Sequence, residues 1–568
     1  MRRQGHLRRK AVKAQWRFGV HAPLWAVVCG LMMGAVGWTA ETDALSGRAT
    51  VKRDGVPLYA QNATTSEVLS VLARDAIVHV DFAILNAQGH WCRVTEVASP
   101  RSAGYVRCED LEPGPPARGQ PNVVRQEKQQ GVPGPAVETV AREARWHLSR
   151  EDAEQLENKL RSNPDDLDAR ARLLGYYFAR SLRLSGAAVT LEARRRHILW
   201  LIQNRPEAEL AGTSEATIDP AGHSLADPEG YRQAKALWLK QVEAYKTSTK
   251  VMRNAAKFFQ LPDKELAESA LKRAQALEPK NPEWSASLGY LYALGIMGVN
   301  GLNQNGLPTG VNPAEVEGTF AKKAKEKLRR SSDAALILAA GSILSQYGSM
   351  IYATGLSRQD YRGLAEELLK RAGGPGSNQP SPSWSLGQHY RLERLRARSA
   401  EAKTEFAKKE LAQWEQAIPG APDEEWRSGL LGDAAKAAVE AGELKKAEKF
   451  ATELLEIASR HTGEEKYGPA VHDGNMILGR LALRQGNIQE AKAYLIKAGH
   501  TLGGGTLTSF GPSMSLAKEL LERGERESVI EYLELCKKFW DYKKDLLERW
   551  IQTIKSGGTP QFGPNLIY

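Results

Sequence analysis

His472 and Asp473 stand side by side in "VHDGN", and an adjacent imidazole and carboxylate could be a metal pair. A metal site needs further donors at a recurring spacing. None follows here, and His461 and His500 also fall where the pattern reads as loops or helix ends, so the three histidines are taken as turn polar residues. Arg194, Arg195 and Arg196 could grip phosphate. With Glu192 beside them and the apolar run "HILWLI", including Trp200, after them, they read as a solvated helix face. "GGPGSNQPSPS" is glycine-rich, but no strand precedes it and no Lys-Ser/Thr follows, so it is no phosphate cradle. There is no P-loop, dinucleotide fingerprint, nucleophile elbow or His-Glu-x-x-His motif. The glutamates are scattered, and no pair stands out as an acid–base couple. No catalytic residue, cofactor or metal is assigned, and the chain is read as non-enzymatic.

The net charge of +11 invites a nucleic-acid reading, but seven of those charges lie within the first 21 residues, which leaves +4 for the rest. The basic leader runs into the uncharged "APLWAVVCGLMMGAVGWTA" at 22–40. A basic segment before an apolar run is an export signal, and this run is barely long enough to span a bilayer. Residues 1–40 are therefore a signal peptide or a membrane anchor, and either one places the remainder outside the cytoplasm. The expected location is the periplasm or the outer face of the cytoplasmic membrane. No nucleic-acid partner is expected, and membrane contact is expected only through 22–40. Cys29 lacks the small preceding residue of a lipoprotein site, since Val28 is there.

In "WCRVTEVASPRSAGYVRCEDL" a hairpin turning near Pro100 to Ala103 pairs Val94 with Val106 and sets Cys92 opposite Cys108. Facing positions are close enough for a disulfide, and an exported chain is oxidised. The alternatives are two thiols or half of a metal site. A disulfide is favoured because no second ligand pair is near. Cys536 reads as a small core residue.

These residues sit in segments of different kinds. Residues 46–112 are short β-branched runs separated by turn residues, the pattern of a small all-β barrel. Residues 113–136 are rich in Pro, Gly and Gln and read as a linker. From 137 to 568, Leu, Ala, Glu, Lys and Arg dominate helix-length segments. A spacing recurs there. Gly479 is followed by Gly486, Ala491 and Ala498; Ala255 by Pro262, Ala267, Ala274 and Pro279; Ala435 by Gly442, Ala447 and Leu454; Ala517 by Gly524, Val529 and Cys536. Ala255 and Gly289 are 34 residues apart. Small residues at such positions let two antiparallel helices cross closely and the next pair stack on them. Residues 137–210 read as a degenerate pair, with "LLGYYFA" in one helix and "LEARRRHILWLIQNRPEA" in its partner. Residues 333–418 are helical without a register. "SFGPSM" and "QFGPNL" each carry Phe-Gly-Pro, read as turns that plug the end of the array in preference to docking elements.

Residues 46–112 resemble the bacterial Src-homology-3-like domain, through "ATV", "EVLSVLARDAIVHV", Trp91, Val94, "GYV" at 104–106 and Leu111. The resemblance implies a binding module for cell-wall or peptide ligands. "PLYAQNATTSE" stands where that family commonly has Arg-x-Gly-Pro. The helical part resembles the tetratricopeptide family, through Leu288-Gly289-x-x-Tyr292, Ala267-x-x-x-Leu271, Ala274, Pro279, Leu478-Gly479, Ala491-x-x-x-Leu495 and Ala498. The expected fold is thus mostly α, a right-handed helical-repeat solenoid preceded by a small all-β barrel. In such arrays the first helix of each pair lines the binding groove. The residue after the packing position, Lys436, Arg480 or Lys518, would point into it, with Arg484 one turn beyond Arg480. These cations would form a ladder for an acidic peptide or a terminal carboxylate. Glu440 and Glu522 could instead pair with the two lysines, whereas Arg480 has no such intrahelical partner. The expected function is an exported scaffold of the cell envelope that binds protein or peptide partners, with cell wall as a further ligand of the barrel module. The alternatives are a cell-wall-metabolising enzyme with its catalytic residues in 300–420, or a peptidoglycan-binding structural protein.

Overall fold

The computed structural model describes residues 47–59, 64, 66–86, 89–96, 103–113, 137–183, 188–220, 226–303, 306–373 and 380–566. The leader at 1–40 and nearly all of the linker lie outside the described residues. The chain divides into two compact units, one ending at Pro279 and the other running from Lys280 to Tyr568.

The first unit opens with strands β1 (Gly47–Val51), β2 (Val56–Tyr59), β3 (Val68–Leu72), β4 (Ile77–Asn86), β5 (Gly89–Glu96), β6 (Ala103–Arg107) and β7 (Leu111–Pro113). They form one antiparallel sheet in the order β3-β2-β6-β5-β4-β1-β7. Burial alternates along β2, as the two-residue period of a pleated strand requires. Ala49, Val51, Val56, Leu58, Val78, Val94, Val106 and Leu111 are buried together. Among the described residues no ladder joins β3 to β7, so the sheet is open and the closed barrel expected from the sequence is not shown.

Cys92 and Cys108 are joined by a disulfide, with their Cα atoms 5.0 Å apart. The register differs from the sequence expectation by two residues. Val94 faces Gly104 and Cys92 faces Val106, while Cys108 begins the 3-10 turn Cys108–Asp110 after β6. The reason lies at Gly104, where a Cβ would stand 2.6 Å from the Tyr59 carbonyl. Only glycine admits β2 so close, and that fixes the pairing.

Among the described residues seven α-helices follow: α1 (Val137–His147), α2 (Arg150–Ser162), α3 (Leu167–Arg183), α4 (Ala188–Asn204), α5 (Pro228–Ala244), α6 (Thr249–Phe259) and α7 (Lys264–Leu277). Gly175 of α3 packs on α1, because a Cβ there would stand 2.0 Å from the Ala141 carbonyl. The main partner of "LLGYYFA" is therefore α1, with α4 secondary. α6 and α7 form a hairpin in which Ala255, Ala267 and Ala274 are fully buried, and Pro279 follows its end.

The arginine run is a solvated face only at Arg196, which is exposed. Arg194 is fully buried and donates to the carbonyls of Glu215 and Thr217. Arg195 forks onto Asp227 at 2.5 and 2.7 Å, and Arg196 reaches Glu157 at 3.0 Å. Each arginine holds a different segment, which a one-helix view of the run could not show.

The second unit contains α8 (Pro282–Met297), the hairpin β8 (Val299–Leu302) and β9 (Pro308–Val311), the single turn α9 (Pro313–Val316), and α10 (Thr319–Arg330). Next come α11 (Ala334–Ala353), α12 (Arg362–Ala372), α13 (Pro380–Arg396) and α14 (Ala400–Ala417). Then follow α15 (Glu424–Ala441), α16 (Leu444–Arg460), α17 (Gly468–Arg484) and α18 (Ile488–Gly499). The array ends with α19 (Gly505–Ser509), α20 (Ser515–Leu521), α21 (Arg526–Cys536) and α22 (Lys544–Lys555). Helices pack as successive hairpins, α11 with α12, α13 with α14, α15 with α16 and α17 with α18. First helices also touch the next first helix, as α15 touches α17.

Side-chain caps start several of them: Asp333, Asp423 and Asn487 accept from Leu336, Trp426 and Glu490 amides. The recurring turn glycines Gly442, Gly486 and Gly524 have φ of +79°, +83° and +88°, which a side chain resists. Gly289 meets α11, where a Cβ would lie 2.2 Å from the Leu336 carbonyl. Gly479 faces Leu516, and Ala491 and Ala498 beneath it are fully buried. Residues 333–418 form hairpins too. They have their own close approaches, Gly341 on Leu368 and Leu369, and Gly387 on Trp414. The apolar α11 is long enough to cross a membrane, but most of it is buried in this packing.

Candidate functional site

The first helices α13, α15 and α17 present one face in succession, and an open cavity of about 80 Å³ lies on it. Its walls carry Arg391 and Arg394 from α13, Lys436 from α15 and Arg480 from α17, closed at one end by Ser513, Ser515 and Leu566. Lys436 and Arg480 thus share one cavity. Lys518 does not line it; it pairs with Glu522, four residues on at the end of α20.

Every groove cation has an acid partner. Arg391 binds Asp433 at 2.9 Å, Arg394 binds Glu410 at 2.7 Å, and Lys436 binds Asp473 at 2.5 Å. Arg480 binds Glu440 at 3.0 Å and Glu519 at 2.8 Å. Arg484 donates to the Val439 carbonyl at 3.0 Å. The basic ladder expected from the sequence is therefore a ladder of ion pairs, and Arg480, expected to be unpaired, has two carboxylates. Lys436 takes Asp473 of the next first helix instead of Glu440 of its own. Spacing within a helix does not reveal these pairs because their partners lie one hairpin away. Arg391 and Asp433 are 42 residues apart, Arg480 and Glu519 are 39, and Glu440 and Arg480 are 40. The missed signal was the recurrence of opposite charges at the repeat length.

His472 is fully buried on α17, a correction to its reading as a turn residue. The helix begins at Gly468, so the imidazole points into the next hairpin. Nδ1 lies 3.0 Å from Asp473 Oδ1 and Nε2 lies 3.0 Å from the Tyr532 hydroxyl. Tyr532 in turn donates to the Ser513 carbonyl at 2.9 Å. Burial pushes the Asp473 carboxyl up, but Lys436 and the His472 hydrogen bond together outweigh it and hold the group well below the usual carboxylate range. His461 stacks on Tyr467 between Glu424 and Glu464, and His500 caps α18. Among the described residues no three His, Cys, Asp or Glu side chains cluster as metal ligands.

The two Phe-Gly-Pro turns close the array together. The Asn565 amide donates to the carbonyls of Phe510 and Pro512, and the Met514 amide donates to the Asn565 carbonyl. Phe562 is buried edge-on to Trp550, and Gly511 lies against the Trp540 ring. Both turns serve as a plug.

No family model matches this chain, and no curated protein does. Among solved structures it is similar to a human IFIT1 dimer with m7Gppp-AAAA, at 17% identity over 75% of this chain and 91% of that one, with a TM-score of 0.28. A human IFIT1 dimer with PPP-AAAA matches at 16% identity over 75% and 96%, also at 0.28. A superposition this loose transfers neither fold nor ligand.

Proposed function

We propose that the chain is an exported, non-enzymatic binding protein of the cell envelope. Its second unit is a right-handed, tetratricopeptide-like array that takes a protein or peptide segment on the face of α13, α15 and α17. The observation that carries this reading is the concentration of half-buried ion pairs around one open cavity. Buried ion pairs are a poor source of stability, so a run of them on one face is better explained by recognition than by folding. Arg391, Arg394, Lys436 and Arg480 are all matched by carboxylates, so the groove offers no surplus of positive charge to a partner. A segment offering both donors and acceptors can exchange with the pairs, whereas a purely acidic one must first displace carboxylates. The open sheet of the first unit, with its resemblance to Src-homology-3-like domains, is a second binding module. Export rests on the basic leader and residues 22–40, and a reporter fused after Tyr568 that is active only outside the cytoplasm would support it.

The groove is tested by capture of partners from envelope extract. Ser515 lines the cavity and is only partly buried, so Ser515→Trp fills it without breaking an ion pair. Lys449 is exposed on α16, outside the groove, and Lys449→Trp serves as the control. The reading expects capture to be lost in the first variant and kept in the second at equal thermal midpoints. Equal capture by both contradicts it.

A further inference from the structure

Helix α10, "TFAKKAKEKLRR", carries the most one-sided charge of the described helices. Lys322, Lys323, Lys325, Lys327, Arg329 and Arg330 stand against a single acid, Glu326. Its apolar side is already used, because Ala321, Ala324 and Leu328 are buried and the helix packs on α8. Arg330 pairs with Glu326 at 2.7 Å, and Lys327 lies over the Tyr292 ring at 5.3 Å. Among the described residues Lys322, Lys323, Lys325 and Arg329 have no acid partner, in contrast to the groove, where each cation of the cavity has one. Lys322, Lys323 and Arg329 are exposed, and Lys325 is partly so. Spacings of three and four place Lys322, Lys325 and Arg329 on one stripe. Like charges at that spacing weaken a helix. Lys322 also falls in the first turn, where the helix dipole disfavours a cation, and neither a side-chain cap nor a first-turn acid offsets it. At the other end Arg371 of α12 donates to the Leu328 and Ser331 carbonyls, which adds a further cation there. The folding of α10 therefore gains nothing from this run.

We propose that the exposed face of α10 docks on the anionic headgroups of a phospholipid bilayer, a membrane contact beyond residues 22–40. Charge complementarity carries the proposal. A leaflet of anionic lipids attracts clustered lysines and arginines, each of which strengthens the contact about fivefold. The buried apolar side of α10 does not enter the lipid, so the contact is electrostatic and weakens with salt. A nucleic-acid strand is a poorer match. Such strands are held in a basic groove with aromatic rings for the bases to stack on, whereas these cations lie on an exposed helix and its aromatic residue, Phe320, packs towards Tyr292. The choice of a bilayer rests on the envelope reading above, and the charge argument does not.

The test is lysine acylation of the full chain, read by mass spectrometry, with vesicles of phosphatidylcholine alone or mixed with phosphatidylglycerol. Labelling of Lys322, Lys323 and Lys325 should fall about fivefold on the mixed vesicles only and return at roughly 0.5 M salt. Labelling of Lys449 on α16 should be the same on both. A second variant carries Lys322→Gln, Lys325→Gln and Arg329→Gln together. It should weaken the contact on the order of a hundredfold, so that Lys323 is labelled equally on both vesicles. Equal labelling of the wild-type helix on both vesicles overturns the proposal, as does protection of Lys323 that persists in the triple variant. Protection by a single-stranded oligonucleotide but by neither vesicle also overturns it and assigns the face to nucleic acid. The readout is independent of where the chain resides in the cell, so its failure is distinct from failure of the export reading, which the reporter fusion measures.

Discussion

Gly289→Ala is the most informative single substitution in the array. The added Cβ would stand 2.2 Å from the Leu336 carbonyl oxygen and 3.0 Å from its carbon. Both atoms belong to the backbone of α11, so no rotamer change relieves the clash, and α8 and α11 must move apart by roughly 1 Å, a shift that close packing resists. Overpacking of this kind costs about 1–3 kcal/mol. Replacing a helical glycine with alanine returns about 0.5–1 kcal/mol, which leaves a net loss of about 1–2 kcal/mol. Two other glycines calibrate the number. At Gly479 the nearest atom, at 2.3 Å, is the end of the flexible Leu516 side chain, so Gly479→Ala should be close to neutral, while Gly479→Leu should be strongly destabilising. At Gly432 the nearest atom is 3.4 Å away, so Gly432→Ala should stabilise by about 0.5–1 kcal/mol. Urea unfolding followed by circular dichroism, with amide exchange in α8 and α11 as the local readout, gives the order Gly432→Ala, then wild type and Gly479→Ala together, then Gly289→Ala. A Gly289→Ala protein as stable as wild type would refute the close crossing and the stacking argument with it.

Thiol labelling of the unfolded, unreduced chain should modify Cys536, and Cys29 where the leader is retained, but not Cys92 or Cys108; modification of the latter two contradicts the disulfide. His389 is buried against Ser345, and burial holds its imidazole down at about 4. The unfolded chain therefore takes up this proton first. Its contribution is complete above about pH 6.5 and is lost as the pH falls towards 4, to a total of about 3 kcal/mol. His389→Phe should flatten the acid limb of a stability–pH curve by one proton, and an unchanged slope contradicts the assignment. Asn565→Ala removes two donors to the 509–515 turn and should cost about 1–3 kcal/mol, seen as faster exchange in that turn; unchanged exchange there would mean the two turns do not brace each other.

What the sequence disclosed and what it hid follow from the range of each interaction. Spacing within a hairpin was legible. Ala491 and Ala498 lie where the seven-residue step puts them, and Gly442 and Gly486 mark the turns, because these constraints are local. Residues 333–418 do not carry the step, so Gly341 and Gly387 went unrecognised although each sits at a close helix crossing. The Cys92 pairing was found with its register wrong by two, because the close approach of β2 at Gly104 is a contact across the sheet. The groove was legible on one side only. Lys436 and Arg480 were found by their place after a packing position, but their acids lie one repeat away. His472 was misplaced for the same reason, since its partner Tyr532 is 60 residues on.

The central claim is that a partner lies on the face of α13, α15 and α17, and site-specific photo-crosslinking tests it most directly. A photoreactive phenylalanine analogue at Ser515, irradiated in envelope extract, should give a discrete adduct, while the same group at Lys449 should give none. Adducts at Lys449 with none at Ser515 would place the binding surface elsewhere and contradict the account.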